Sequence, residues 1–208
     1  MCVTTGFFIA IEGGEGAGKS TQANLLAKHL ESLGFEVVTT REPGGTHTAE
    51  KIRDILLDPK IDDMPATTEA LLFAAARADH AANLIRPALE RGAIVICDRY
   101  IDSSVAYQGA ARGLGVDYIR QLSAWATHDL MPDFTIYIDV PVTDSAARME
   151  GTDRMEIQSR DFHTLVHQAF RDIASNSNSA HVQIDGTRNR EDIAAQISSA
   201  VTEAMKSR

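Results

Sequence analysis

The sequence predicts an α/β protein, a five-stranded parallel sheet covered on both faces by helices. Three observations predict it. Short apolar runs rich in β-branched and aromatic residues, FFIAI (7–11), AIVIC (93–97) and FTIYI (134–138), each stop at a carboxylate. Helical apolar periods separate these runs, and near-continuous apolar strands alternating with helices are the pattern of a parallel sheet buried on both sides. A glycine-rich segment ending in lysine and serine, GGEGAGKS (13–20), joins the first run to the first helical period, as a strand–loop–helix unit requires.

In chain order, FFIAI is the first strand. The first helix follows the glycine-rich loop: Ala23, Leu26, Ala27, Leu30 and Leu33 recur at helical steps, and Gly34 ends the pattern. FEVVTT (35–40) is a weaker second strand. Thr67 is positioned to cap a long helix running to Arg91, stopped by Gly92. AIVIC and FTIYI are the third and fourth strands. EGTDRMEIQSRDF (150–162) carries no apolar period and mixes acids with arginines, so it reads as a short mobile lid. HVQID (181–185) is the fifth strand, and Ile193, Ile197, Ala200, Val201 and Ala204 form one stripe behind Asn189, a capping residue.

Composition bounds the function. The chain has 208 residues, 44% hydrophobic and 24% charged, which predicts one domain with a core that needs neither disulfides nor a structural metal. No apolar run approaches the roughly 18 to 20 residues that cross a bilayer. Lys and Arg total 20 against 29 Asp and Glu, a net charge of −9, with no basic run interleaved with aromatics, so nucleic acid is not an expected partner. The N-terminus lacks a positively charged leader, and Cys2 and Cys97 offer no metal spacing. A cytoplasmic protein with reduced cysteines is expected.

Residues 13–20 match G-x-x-x-x-G-K-[ST]. Glycines let successive backbone N–H groups converge on phosphate oxygens, and the following helix adds its positive end. The segment from Gly13 through Gly14, Glu15, Gly16, Ala17, Gly18, Lys19 and Ser20 to Thr21 is therefore the candidate ATP cradle, in the three-layer fold of P-loop NTPases. Lys19 can reach the outer phosphates. The Ser20 hydroxyl can join the coordination of Mg²⁺, with Asp98 at the carboxyl end of AIVIC as the second ligand. No N-K-x-D guanine signature and no L-S-G-G-Q string occurs, which leaves a small kinase.

Four strings carry a closer resemblance: the P-loop with an acidic third position; Thr40-Arg41-Glu42-Pro43-Gly44-Gly45-Thr46; Leu72-Phe73-Ala74-Ala75-Ala76-Arg77; and Asp98-Arg99-Tyr100 followed by Ser103, Ser104, Ala106, Tyr107 and Gln108. In this order they resemble the bacterial thymidylate (dTMP) kinases along nearly the whole chain. The resemblance implies ATP and dTMP as substrates, dTDP as product and a homodimer. It further implies that Phe73 stacks on thymine and Arg77 donates to its exocyclic oxygen; their i,i+4 spacing agrees. Arg99 would hold the acceptor phosphate beside Asp98, Arg41 would line the acceptor site, and Glu15 would meet the 3′-hydroxyl. Ser103, Ser104 and Gln108 would lie near the base, Tyr107 would crowd the sugar 2′ position, and Pro43 would follow a cis bond. Gly186, Thr187 and Arg188 resemble the loop that packs on adenine.

The lid departs from the family pattern. Asp153-Arg154-Met155-Glu156 resembles the family's D-R-x-E and makes Arg154 the candidate catalytic lid arginine, with Arg148 and Arg160 as further contacts to ATP; a solvated helix face is the competing reading for each. His167 stands where relatives often carry arginine, and Phe170 where they often carry tyrosine. The rivals to a dTMP kinase are a deoxynucleoside kinase, which two arginines at the acceptor argue against, and an ATP-binding P-loop switch.

Overall fold

The computed structural model describes residues 6–147, 151, 153–177 and 179–207. Five strands, β1 (Phe7–Glu12), β2 (Val37–Arg41), β3 (Ile94–Asp98), β4 (Phe134–Asp139) and β5 (His181–Asp185), form one all-parallel sheet in the order β2-β3-β1-β4-β5. The expected runs were right to within two residues at each end. Parallel pairing sets Ile11 and Arg41 beside Asp98 and Glu12 beside Tyr137, so every strand delivers its carboxyl end to the same edge. Ligands collect at that edge in sheets of this kind.

Side chains alternate between two apolar layers. Phe7, Ile9 and Ile11 join Leu26 and Leu30 of α1 (Lys19–Ser32) and Ile193, Ile197 and Val201 of α9 (Arg190–Lys206). Phe8 and Ala10 point the other way and meet Ile85, Tyr100, Val105, Ile119, Val166 and Phe170. That second layer is built by α3 (Ala66–His80), α4 (Arg86–Glu90), α5 (Ile101–Ser104), α6 (Val116–Thr127) and α8 (Arg160–Ser175). The helices α2 (His47–Leu57) and α7 (Val142–Ala146) complete the set among the described residues. None of these helices is long and apolar enough to cross a membrane.

One helix expectation changes. The single helix expected from Thr67 to Arg91 begins at Ala66 with Pro65 as its uncapped N-terminal flank, and it widens into a π-helical turn over Ala81–Ile85 before α4. Pro87 has no N–H to return to the preceding turn, which is a sufficient reason for the ladder to reset there. A second π-helical turn, Val105–Ala111, extends α5. The cap at Asn189 forms as expected, its side chain accepting from Asp192 N at 2.8 Å.

Candidate active site

Helix α1 starts at a glycine, without a side-chain cap and without an acid in its first turn. Thr46, Ser159 and Asn189 cap α2, α8 and α9 with side-chain oxygens, whereas α1 begins at Gly18, which has φ 86°. Glycine adopts this left-handed backbone without a Cβ penalty. The N–H groups at the start of α1 are thus left for an anion. Lys19 is buried and donates to Gly14 O at 2.7 Å. Burial pushes its ammonium down to about 8, and Arg99 adds to the shift. The Ser20 hydroxyl donates to Asp98 Oδ2 at 2.5 Å, so a hydroxyl and a carboxylate from adjoining elements meet at the mouth of the loop.

A cleft opens over this loop, bordered by Lys19, Ser20, Asp98, Arg41, Arg53 and Glu156. Beside it lies a narrower cavity. Phe73 and Arg77 of α3 form one wall of that cavity, Pro43 another, and Ser103, Ser104, Tyr107 and Gln108 a third. The Glu42–Pro43 bond is cis. Ser104 Oγ is buried without a partner, a polar atom suited to a ligand. Glu15, Glu42, Arg53 and Arg99 border both spaces, which marks where a group can pass from one ligand to the other.

Arg99 organises that junction. It follows β3 with φ 70°, a backbone state that non-glycine residues hold only when their surroundings enforce it. Its guanidinium donates to Gly13 O at 3.0 Å, Ser103 Oγ at 3.1 Å and Tyr107 Oη at 3.3 Å, and pairs with Glu15 Oε1 at 2.8 Å. Burial alone would raise the Glu15 carboxyl, but the charges of Arg99 and Lys19 and a hydrogen bond from Tyr107 (3.0 Å) hold it at about 2. Glu15 is therefore an ionised acceptor at any working pH.

Arg41, expected to line the acceptor site, borders the cleft over the P-loop, which shares Glu15, Glu42, Arg53 and Arg99 with the cavity. It pairs with Glu50 through an exposed contact at 3.0 Å, because β2 is the edge strand and its last side chain turns outward. Gly13 and Gly14 border a crevice with Asp139, His167 and Phe170, and His167 Nε2 lies 2.6 Å from Asp139 Oδ1. Gly186 N donates to Asp139 O at 2.8 Å, and Thr187 and Arg188 fold onto Asp185. This loop stands at the same sheet edge as the P-loop. Arg148 lies outside the described residues.

Arg154 borders neither the cleft nor the cavity. It is 4% exposed, pairs with Glu69 Oε2 at 2.7 Å and donates to Leu56 O at 2.8 Å. Met155 beside it is buried and lines the cavity. Glu69 is fully buried and also accepts from Arg112 and Gln108. A buried carboxylate demands cations, and it draws Arg154 inward, so the described residues 153–158 form a tethered wall and not a loose flap. Arg154→Ala is expected to cost about 1 to 3 kcal/mol of stability, read as a lower thermal midpoint. An unchanged midpoint with turnover down by about 10³ would put Arg154 on the transferring phosphoryl group instead.

With this geometry in place, the comparisons are specific. The thymidylate kinase family model matches residues 11–197. The chain belongs to the thymidylate kinase family. It is 48% identical over 197 residues to the thymidylate kinase of Clavibacter michiganensis subsp. michiganensis, covering 93% of each chain. It is 46% identical over 203 residues to that of Symbiobacterium thermophilum, covering 97% of this chain and 95% of the other. To that of Pseudomonas fluorescens it is 49% identical over 184 residues, covering 87% and 88%. Within this member of the thymidylate kinase family, sequence reasoning missed Arg53, Glu12 and Glu69. Arg53 donates to Pro43 O at 2.8 Å from α2; its spacing behind the proline–glycine turn was the available signal. Glu12 ends β1 and accepts from Tyr100 N at 2.9 Å and Ser103 Oγ at 2.6 Å, fixing the start of α5. Burial, then the charge of Asp102, pushes the Glu12 carboxyl up to about 7.

Proposed function

We propose that the protein transfers the terminal phosphoryl group of ATP directly to the phosphate of dTMP, giving ADP and dTDP. The observation that carries this reading is the junction at Glu15, Arg53 and Arg99, where a cleft built on a P-loop meets a cavity lined by an aromatic ring and a buried arginine. Family membership supports the same substrates. The triphosphate lies along the N–H groups of Gly16 to Ser20 with Lys19 on its outer charge. The acceptor phosphate faces Arg99, and thymine lies between Phe73 and the α5 side with Arg77 at its carbonyl edge. No covalent intermediate is needed. An acceptor phosphate oxygen displaces ADP in line, while Lys19, Arg53 and Arg99 balance charge that spreads over the transferred group.

Mg²⁺ fits the donor set, since Ser20 Oγ and Asp98 Oδ2 present a hydroxyl and a carboxylate side by side at the exposed end of the loop, the hard oxygen ligands that the ion takes alongside phosphates. When bound it would supply positive charge to the triphosphate. Asp98→Asn is expected to raise the Mg²⁺ concentration needed for half-maximal turnover; an unchanged titration would make Asp98 structural.

Tyr107, held by Glu15 and Arg99, supports a preference for 2′-deoxy sugars through its bulk, and Glu15 is suited to accept from the 3′-hydroxyl. Gly186, Thr187 and Arg188 are proposed to flank adenine. A homodimer is supported by Leu71 of α3 and Tyr118 and Trp125 of α6, large apolar side chains left 54%, 75% and 77% exposed on neighbouring helices. The buried free thiol of Cys97 suits a reducing cytoplasm. ADP release that depends on added dTMP tests the central reading; ADP release at the same rate without an acceptor returns the protein to an ATP-hydrolysing switch.

A further inference from the structure

The string Thr40 to Thr46 serves the site through more than Pro43. Three of its residues converge on His80, a fully buried histidine in the last turn of α3. Thr40 Oγ1 lies 2.7 Å from His80 Nε2, and Glu42 Oε1 lies 3.0 Å from His80 Nδ1. Gly45 lies so close that a Cβ there would stand 2.6 Å from His80 Nε2 and 2.5 Å from Thr40 Oγ1. The other oxygen of Glu42 accepts from Arg77 Nε at 2.7 Å. Arg77 is then held on its far side by Ser123 Oγ at 3.1 Å and Tyr100 O at 3.0 Å. Thr40, His80, Glu42 and Arg77 thus form one line from a half-buried residue of the edge strand, through buried His80 and Glu42, to the wall of the acceptor cavity.

We propose that His80 is a positioning residue for acceptor-base recognition, acting through Glu42 to fix the plane of Arg77. This rests on the reading that Arg77 faces the base carbonyl. A guanidinium reads a carbonyl only from a fixed fork, and its carboxylate partner can swing about its terminal torsion unless both oxygens are engaged. Arg77 engages one oxygen and His80 the other. Thr40 Oγ1 at Nε2 and Glu42 Oε1 at Nδ1 engage both ring nitrogens, so the imidazole is held at its two ends and in turn holds Glu42. Glu42, His80 and Cys97 also lie within 4.8 Å of one another. A cation does not suit that cluster, because the Arg77 guanidinium already occupies the carboxylate and the Cys97 thiol donates to Arg99 O at 3.0 Å.

The test uses His80→Leu, which keeps bulk and removes both nitrogens, and His80→Asn, which restores a donor where Nδ1 was. Circular dichroism and thermal denaturation confirm folding, and kcat and KM are measured with dTMP, dCMP and ATP. In His80→Leu the KM for dTMP should rise about tenfold and the preference for dTMP over dCMP in kcat/KM should fall about tenfold, with the KM for ATP within twofold of the parent. His80→Asn should recover most of the preference. A folded His80→Leu protein with the parent's preference overturns the proposal, as does a common rise in both KM values with the preference intact. If His80→Leu does not fold, Thr40→Val removes only the Nε2 partner. It should shift the preference two- to fourfold in the same direction, and no shift overturns the proposal. Arg77→Lys serves as the control: lost preference there with none lost at His80 refutes only the role of His80, whereas unchanged preference in both refutes the Arg77 reading itself.

Discussion

Lys19→Ala is expected to lose at least about 10³ in kcat/KM while remaining folded. The ammonium sits between the loop backbone and the junction, where charge develops in a low-dielectric space, and no other cation of α1 is placed to replace it. Stability should not suffer. The folded-state value of about 8 lies below the ordinary 10.5, so the buried charge costs the free protein stability below pH 8, and that cost disappears as pH rises toward 10.5. Bound triphosphate would pull the proton back. Affinity for ATP should therefore fall about tenfold per pH unit above 8, with proton uptake on binding, and Lys19→Arg should flatten that profile. Substantial turnover in folded Lys19→Ala, or a pH-independent ATP affinity in the parent, would remove Lys19 from the phosphates.

Arg99→Ala should rival that loss. One guanidinium joins Gly13 O, Ser103, Tyr107 and Glu15, so its removal takes away the charge proposed to face the acceptor phosphate and leaves Glu15 with Lys19 as its nearby cation and Tyr107 as its hydrogen-bond donor. A fall of about 10³ in kcat/KM for dTMP is expected, with the Glu15 carboxyl moving up from about 2. Arg99→Lys should recover only part of the activity, because a point charge cannot span these partners. Steady-state kinetics with dTMP varied at saturating ATP checks this, and a loss under tenfold in the folded variant would place the transferred group elsewhere.

What could be read in advance follows the physics of each signal. Sheet strands and P-loop were legible because apolar runs and the glycine–lysine–serine spacing are local. Phe73, Arg77 and the Asp98 to Gln108 string were singled out by family resemblance, with the i,i+4 spacing of Phe73 and Arg77 in agreement, and Phe73, Arg77, Ser103, Ser104, Tyr107 and Gln108 line one cavity. Arg154 was read from its motif, but its place depends on Glu69, 85 residues away in sequence, and nothing local shows that Glu69 is buried. Glu12, Glu42 and His80 were silent for the same reason. A charged residue in a string looks solvated until the fold supplies its partner.

The most direct measurement is a competition in which ATP is offered dTMP and dCMP at matched concentrations and the diphosphate products are resolved. Arg77 donating to a carbonyl would face the amino group of cytosine and leave two donors unpaired in a buried cavity, at a cost of about 1 to 3 kcal/mol. A folded, active protein should form dTDP in roughly tenfold excess or more over dCDP. Equal amounts of the two would contradict the account and make the protein a broader pyrimidine monophosphate kinase.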